Sequence, residues 1–352
     1  MVCPYDLDAP GGVQNQSRGL ASALVARGHE VTLLAPGAGG RSEVAGFRLE
    51  LLGGSLGVRT NGSVAPIAPF PGVRRATRRL LAEHDYDVVH LQEPFVPGPS
   101  LFALLAAEVP VVGTFHRAGA GAGYRALRPL LSRLVRRVDR CVAVSAAAAA
   151  TLQAVSGAEA GEVLANGVDT ARFHPGELRP VASRVVFAGR HEERKGLGVL
   201  LEAFGLLEGD LELTVIGSGP QTEVLQGASR DPRVTWLGRV GDDVLASTLE
   251  SADLFVAPSL HGESFGVVLL EAMAAGCAVL ASDLEGYRLA AGEAACFFPP
   301  GDVTALAAAL GGLLADPAAR QALRVRGQAR AEAHSFARLA ASYESIYAAL
   351  LR

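Results

Sequence analysis

Residues Leu254–Ala275 read LFVAPSLHGESFGVVLLEAMAA: an apolar run, a turn holding proline and glycine, and a second apolar stretch. Leu254–Ala257 has the character of a strand buried on both faces, and Ser264–Ala275 the length of a helix lying over it. Strand, turn and helix in that order are half of a parallel βαβ unit. The same alternation continues outward. Strands are expected at Arg184–Ala188, Glu212–Ile216 and Arg233–Leu237 before this unit, and at Ala278–Ala281 and Ala295–Phe298 after it. Helices fall between them at Gly196–Leu207, Gln221–Gly227, Asp242–Ser251 and Val303–Ala315, and Ala318–Arg352 is almost wholly helical.

An earlier series has strands at Met1–Cys3, His29–Ala35, Phe47–Leu52, Asp87–Leu91, Val109–Thr114, Arg140–Val144 and Glu162–Leu164. Its helices are expected at Val13–Arg27, Val73–His84, Ser100–Ala107, Tyr124–Val138 and Ala146–Ser156. Asn166–Pro180 is rich in turn residues and reads as a link. The expected fold is α/β, two Rossmann-like doubly wound domains facing across a cleft. The boundaries are 1–170 and 171–335, with a C-terminal helix, 336–352, packing back on the first domain. Only Met1–Cys3 precede Pro4, which is short for a central parallel strand, so a start a few codons upstream is expected.

Composition agrees with two domains. The chain has 352 residues, 49% hydrophobic and 19% charged, with mean hydropathy +0.27, enough apolar surface for sizeable cores. Net charge is −4, which excludes a dedicated nucleic-acid binder. Cys3, Cys141, Cys277 and Cys296 are widely spaced, against a disulfide framework or zinc ribbon. No apolar run reaches the roughly 18 residues of a membrane span, and no secretory layout opens the chain, so a cytoplasmic location is expected. The first 175 residues carry 17 Arg against 14 Asp+Glu, a surplus of positive charge that suits an anionic surface or substrate. Lys195 is the only lysine in the chain.

Lys195 lies in Gly189-Arg190-His191-Glu192-Glu193-Arg194-Lys195-Gly196, between a strand and a helix, where a nucleotide diphosphate would sit in such a sheet. Arg190 offers a fork for phosphate oxygens and Lys195 a compact ammonium. In a chain that otherwise uses arginine, a lone lysine there marks a place where a guanidinium is too large. The turn after Leu254–Ala257 is expected to deliver Glu263 just ahead of the helix and Glu271 two turns inside it, on adjoining faces roughly 12 Å apart along the axis. That is wider than the roughly 5–9.5 Å of glycosidase acid pairs and fits two clamps on hydroxyl groups of one long ligand. The backbone amides of Ser264, Phe265, Gly266 and Val267 would be free for phosphate. Gly11-Gly12 opens the first long helix after the first strand, a turn that allows close backbone approach to an anion. Gly217-Ser218-Gly219-Pro220 lacks the third glycine of a dinucleotide fingerprint. His116 ends a strand at the edge where ligands bind. Nothing in the sequence has the spacing of a metal site.

Together the paired glutamates, the GR…RKG segment, Asn166-Gly167-Val168-Asp169 and the double-glycine turn resemble family 4 retaining glycosyltransferases of the GT-B fold, over essentially the whole chain. CPYDLDAPGGVQ, NGSVA (61–65), the basic helix before DYDVVHLQEP, TFH and HGESFGVVLLEAMAAG are most similar to phosphatidylinositol mannosyltransferases. The resemblance implies a metal-independent hexosyl transfer without a resident cofactor: mannose passes from GDP-mannose to the inositol of a membrane phospholipid, on the inner face of the plasma membrane. It implies that Arg190 and Lys195 bind the diphosphate, Glu271 the ribose, Glu263 the sugar, and Val240 and Asp242 the guanine. It also implies that Gly12 approaches the phosphate, that Gln14, Asn61 and Ser63 meet the acceptor, and that His116 sits by both sugar and acceptor. Arg74, Arg75, Arg78 and Arg79 would face the anionic membrane, and Arg133, Arg136, Arg137 and Arg140 form a second basic cluster. Pro66 stands where the family has a phospholipid-binding arginine, and no lysine follows TFH. A UDP-sugar with a soluble or different lipid acceptor, and a sugar-nucleotide epimerase, stay open. A pyridoxal-dependent phosphorylase would need its Schiff base at Lys195, in the diphosphate loop.

Overall fold

Short β-branched runs can be buried on both faces only in parallel sheets covered by helices. The computed structural model, which describes residues 1–9, 11–60, 63–119, 121–176 and 183–352, builds two such units: Met1–Gly167 with Phe336–Arg352, and Val168–Ser335.

The first unit contains α1 (Gly12–Ala26), β1 (Thr32–Ala35), β2 (Arg41–Val44), β3 (Phe47–Leu51), β4 (Leu56–Thr60), β5 (Ser63–Ile67), α2 (Pro71–Glu83), β6 (Val89–Gln92), α3 (Pro99–Ala106) and β7 (Val111–Phe115). They are followed by α4 (Ala122–Ala126), α5 (Arg128–Leu134), β8 (Arg140–Ala143), α6 (Ala146–Ser156) and β9 (Glu162–Val163). Parallel ladders run β3-β1 and β6-β7-β8-β9. Val2 joins them, bridging Leu34 on one side and Leu91 on the other. The expected first strand is therefore a bridge of one residue, because Pro4 cannot continue a two-sided ladder. Pro129, in the first turn of α5, divides the helix expected over Tyr124–Val138, since it lacks an N–H and crowds the preceding turn. Two features were not expected: β2, an all-exposed antiparallel edge, and the β4–β5 hairpin, whose Asp6-facing end is fixed by Asp6 N–H donating to Pro66 O at 2.9 Å.

The second unit contains β10 (Ser183–Ala188), α7 (Leu197–Gly205), β11 (Leu211–Ile216), α8 (Thr222–Ala228), β12 (Val234–Gly238), α9 (Asp242–Glu250), β13 (Leu254–Ala257) and α10 (Val267–Ala274). Then come β14 (Ala278–Ser282), α11 (Glu285–Ala291), β15 (Ala295–Phe298), α12 (Val303–Ala315) and α13 (Pro317–Ala333); α14 (Phe336–Leu350) belongs to the first unit. The sheet is parallel throughout in the order β12-β11-β10-β13-β14-β15. Val185, Leu213, Val215, Leu254, Val256 and Leu280 are fully buried in its core, each such side chain contributing about 2 kcal/mol. Strand order reverses between β10 and β13, and loops leaving a parallel sheet on either side of such a point frame its ligand site. Among the described residues no helix is long and apolar enough to cross a membrane.

Candidate active site

The loops after β10 and β13 flank the reversal point. Gly196 closes the first with φ +67, and a Cβ there would lie 1.9 Å from Pro258 O, so only glycine lets the two loops touch. Leu260 N–H then donates to Arg194 O at 2.7 Å. This contact aligns an alternating chain of charge. Arg190 Nη2 lies 2.7 Å from Glu192 Oε1, and Arg194 Nε is 3.1 Å from Glu192 Oε2. Arg194 Nη1 is 3.3 Å and Lys195 Nζ 2.6 Å from Glu263 Oε1. Ser259, itself held by the Tyr287 hydroxyl at 2.8 Å, donates to the same oxygen at 2.9 Å. Three cations oppose two carboxylates, leaving one positive charge in surplus. Arg190 is the exposed end of the chain, whereas Lys195 and Glu263 are mostly enclosed. The ammonium has three protons, so its bond to Glu263 leaves donors for a second anion.

Glu263 precedes the helix, as expected, but the helix starts later than expected. Gly266 caps α10 with φ +89, and a Cβ there would reach to 2.5 Å from the Tyr287 ring, so the helix begins at Val267 and not at Ser264. The regular helical spacing expected between Glu263 and Glu271 is thereby corrected: one acid sits in the loop, the other in the second turn of α10. The amides of Ser264, Phe265, Gly266 and Val267 have no hydrogen-bond partner among the described residues. Phe265 is buried and Ser264 exposed. The Glu271 side chain has no ion pair or hydrogen bond among the described residues, and its carboxyl is pushed up to about 7, chiefly by burial, then by Asp242, with Arg172 opposing. Asp242, in the first turn of α9 two residues after Val240, is exposed and pairs with Arg172 at 2.8 Å. His191, in the β10 loop, is fully buried with Nδ1 2.9 Å from Thr222 Oγ1.

In the first unit the side chains joined to the His116 ring are neutral amides, imidazoles and hydroxyls, with the Glu93 carboxyl under the backbone. His116 follows β7; its backbone N–H donates to Glu93 Oε1 at 2.6 Å, and its ring Nε2 lies 2.6 Å from Gln92 Oε1. Burial lowers its pKa to about 4, offset in part by the neighbouring Asn166 amide. Gln92 Nε2 is 3.3 Å from His90 Nε2, which is also 2.7 Å from Thr114 Oγ1. His90 Nδ1 reaches the Tyr347 hydroxyl at 2.7 Å, and Thr114 Oγ1 the Tyr343 hydroxyl at 2.7 Å, both on α14. Gly12 opens α1, exposed, with nothing within 4 Å of an added Cβ. Gln14 is buried, and its amide donates to Asp6 O and Ala9 O, both at 3.3 Å. Ser63 is in β5, and Asn61 lies outside the described residues. Arg74, Arg75, Arg78 and Arg79 are all exposed on α2, opposite its buried Val73, Thr77 and Leu80. Arg137, in contrast, caps α3 by donating to Leu104 O and Leu105 O at 3.1 and 3.3 Å.

Several residues at these two edges were not singled out in the sequence. Arg194 sits in the charged loop with no spacing to distinguish it from Arg190. Glu93 is buried, holds the backbone at His116 and Arg117, and has φ +46, a conformation its side chain disfavours. Burial pushes its carboxyl up. Among the described residues no group of three or more His, Cys, Asp or Glu side chains is placed to hold a metal ion.

Comparison with known proteins gives these edges a family. Residues 182–316 match the model described as glycosyl transferases group 1, and residues 10–172 that described as Glycosyltransferase Family 4. The phosphatidyl-myo-inositol mannosyltransferase of Mycolicibacterium smegmatis is 38% identical over 99% of this chain and 92% of its own length. The protein of that name from Mycobacterium leprae is 36% identical over 99% of this chain and 95% of its own. The chain belongs to glycosyltransferase family 4. Among solved structures, this glycosyltransferase is similar to sucrose-phosphate synthase from Thermosynechococcus elongatus, with TM-score 0.77 and 24% identity over 98% of this chain and 95% of that one. It is also similar to WaaG, a glycosyltransferase involved in lipopolysaccharide biosynthesis, with TM-score 0.66 and 19% identity over 98% of both chains. At those identities the likeness speaks for the fold alone, which is GT-B.

Proposed function

We propose that this glycosyltransferase moves mannose from GDP-mannose to the inositol ring of phosphatidylinositol with retention of the anomeric configuration. The observation that carries the reading is the alternating chain Arg190–Glu192–Arg194–Glu263–Lys195 at the strand-order reversal, in a chain whose relatives are named for mannosyl transfer to that lipid. In this reading 171–335 holds the sugar nucleotide and 1–170 the acceptor, with 336–352 completing the acceptor domain.

Departure of the diphosphate builds negative charge on its oxygens. Arg190, Lys195 and the amides at the start of α10 stabilise that charge from fixed positions, a preorganised field that need not reorganise during reaction. The remaining oxygen of Glu263 takes sugar hydroxyls, and Glu271 the ribose hydroxyls. Val240 and Asp242 address the base. Gly12 leaves room for the phosphate, and His116 meets the sugar and the incoming hydroxyl beside Gln14, Asn61 and Ser63. The leaving phosphate accepts the acceptor's proton as the new glycosidic bond forms on the same face. The α2 arginines hold the protein on an anionic bilayer.

A second reading, a UDP-sugar donor with another acceptor, is favoured by Pro66, which replaces a phospholipid-binding cation of the family within β5. One experiment separates them. The protein is incubated with radiolabelled GDP-mannose or UDP-glucose, and with phosphatidylinositol vesicles or soluble inositol phosphate. Label in the lipid phase with equimolar GDP supports the proposal, and label only from UDP-glucose or only in the soluble product overturns it.

A further inference from the structure

The polar residues behind His116 form one connected path, and its proton positions can be worked out from the inside. Tyr343 is 2% exposed, and Thr114 Oγ1 is the hydrogen-bond partner of its hydroxyl among the described residues. A buried hydroxyl proton needs an acceptor, so Tyr343 donates to Thr114. The Thr114 proton is then left for His90 Nε2, which must carry its lone pair. His90 therefore bears its hydrogen on Nδ1 and donates it to the hydroxyl of Tyr347, a residue only partly buried. With His90 Nε2 an acceptor, Gln92 turns its NH₂ toward it and its carbonyl oxygen toward His116. His116 Nε2 is left with one role, donor. The opposite polarity would strand the Tyr343 proton in the core, at the full cost of a buried unmade bond.

We infer that Gln92 is a positioning residue that locks His116 as the Nε2–H tautomer, and that Tyr343 on α14 sets the direction of the whole path. His116 then has the lone pair of Nδ1 left for a ligand. A lone pair selects a donor, so His116 accepts a hydrogen bond from a ligand hydroxyl through Nδ1 and cannot donate one there. Burial, which keeps both His90 and His116 neutral near pH 7, agrees with this. The tautomer does not depend on the function proposed above; its effect on transfer does.

The test is ¹⁵N-resolved imidazole NMR of the full chain, with His116 assigned by its loss in His116→Gln. Wild type is expected to show Nε2–H at His116, and Nδ1–H or imidazolium at neutral pH overturns the inference. Tyr343→Phe removes the directing proton and should give a tautomer mixture at His116, with kcat down about ten-fold and donor KM little changed. Adding Gln92→Glu, which offers only acceptors, should restore Nε2–H. An unchanged ring spectrum in Tyr343→Phe, or no return in the double variant, overturns the directing role. Transfer absent from wild type with every donor would fault the proposed function while the ring spectrum still decides the tautomer.

Discussion

At the carboxyl edge of the second unit, five ionised side chains alternate in sign within 3.3 Å of one another, and the exposed end of the series is a cation. At the same edge of the first unit the path joined to the His116 ring is amide, imidazole and hydroxyl, linked at 2.6–3.3 Å, and its one carboxyl, Glu93, holds backbone N–H groups. The anchors differ: the ionic series is braced by a neighbouring loop, and the neutral path runs into α14. Charge in a half-buried series is held for a ligand that brings the opposite charge, because unmatched burial would be costly. A neutral path fixes direction, donor here and acceptor there, and suits hydroxyl groups. In the function proposed above, the two edges divide the recognition of a sugar nucleotide and an alcohol by the physics each needs.

Removing the ionic end should produce the largest change. Lys195→Ala leaves Glu263 held by Arg194 and Ser259, so the fold should persist with a melting temperature near wild type. Loss of one fixed cation facing the developing diphosphate charge is expected to lower kcat about 10²–10³-fold. Lys195→Arg should not rescue it, since the loop is closed against Pro258 by Gly196. Initial rates at saturating donor check this, and near-wild-type turnover in Lys195→Ala would remove the ionic edge from the chemistry.

The neutral edge should fail in a different quantity. Thr114→Val leaves the Tyr343 hydroxyl and His90 Nε2 buried without their shared partner, at about 3 kcal/mol of stability for the first unit. Because no charge is involved, the loss should be the same at low and high salt, whereas the Lys195 effect on donor binding should shrink with salt. Urea titration at two ionic strengths makes the measurement, and a salt-dependent loss would show that the path is not neutral.

Glu271 lies on the charged unit yet its side chain forms no ion pair among the described residues, so it tests where the boundary between the two designs runs. Its folded-state pKa of about 7 exceeds the ordinary 4.5. The folded form therefore holds its proton more tightly than the unfolded chain, and that contribution is complete below about pH 4.5 and lost as pH rises through 7. Glu271→Gln should flatten this decline and gain up to about 3 kcal/mol at pH 8. If the ionised carboxylate binds ribose, wild-type donor KM should rise as pH falls below 7, and the glutamine variant should show a high KM independent of pH.

The two edges were unequally legible in the sequence. The strands of the second unit announced themselves because both faces are buried, and Leu254–Ala257 and Ala295–Phe298 have the ends expected of them. Lys195 and Glu263 stood out by composition and by place after a strand. Their mutual ion pair did not, since it depends on two loops meeting where Gly196 has no Cβ. In the first unit, His116 was visible at a strand end, but the path behind it was not. His90, Gln92 and Thr114 lie in strands where a polar residue has no periodic signature, and their partners Tyr343 and Tyr347 are more than 220 residues away. The β4–β5 hairpin carried a usable signal, Asn61-Gly62 between β-branched runs, which the alternation of helices and strands around it obscured. The early start expected for α10 has a local cause: Ser264 and Glu263 look like ordinary helix-opening residues, and only the packing of Gly266 on Tyr287 delays the first turn.

The smallest effects should come from α2, where three of the four arginines have no ion pair among the described residues. Arg74, Arg75 and Arg78 are exposed, and Arg79 has only the helical neighbour Glu83 at 3.5 Å. An exposed pair of that kind is worth little, so replacing any one of these arginines with serine should leave stability within about 0.5 kcal/mol. Each should nevertheless weaken binding to anionic phosphatidylinositol vesicles by about 1 kcal/mol, roughly five-fold, and the steps should add. Binding to neutral phosphatidylcholine vesicles should not change. Vesicle co-sedimentation at rising salt provides the readout. Equal binding to both vesicle types would mean that the surplus arginine of the first unit is a solvated face, and that positive charge does specific work only where loops hold it in place.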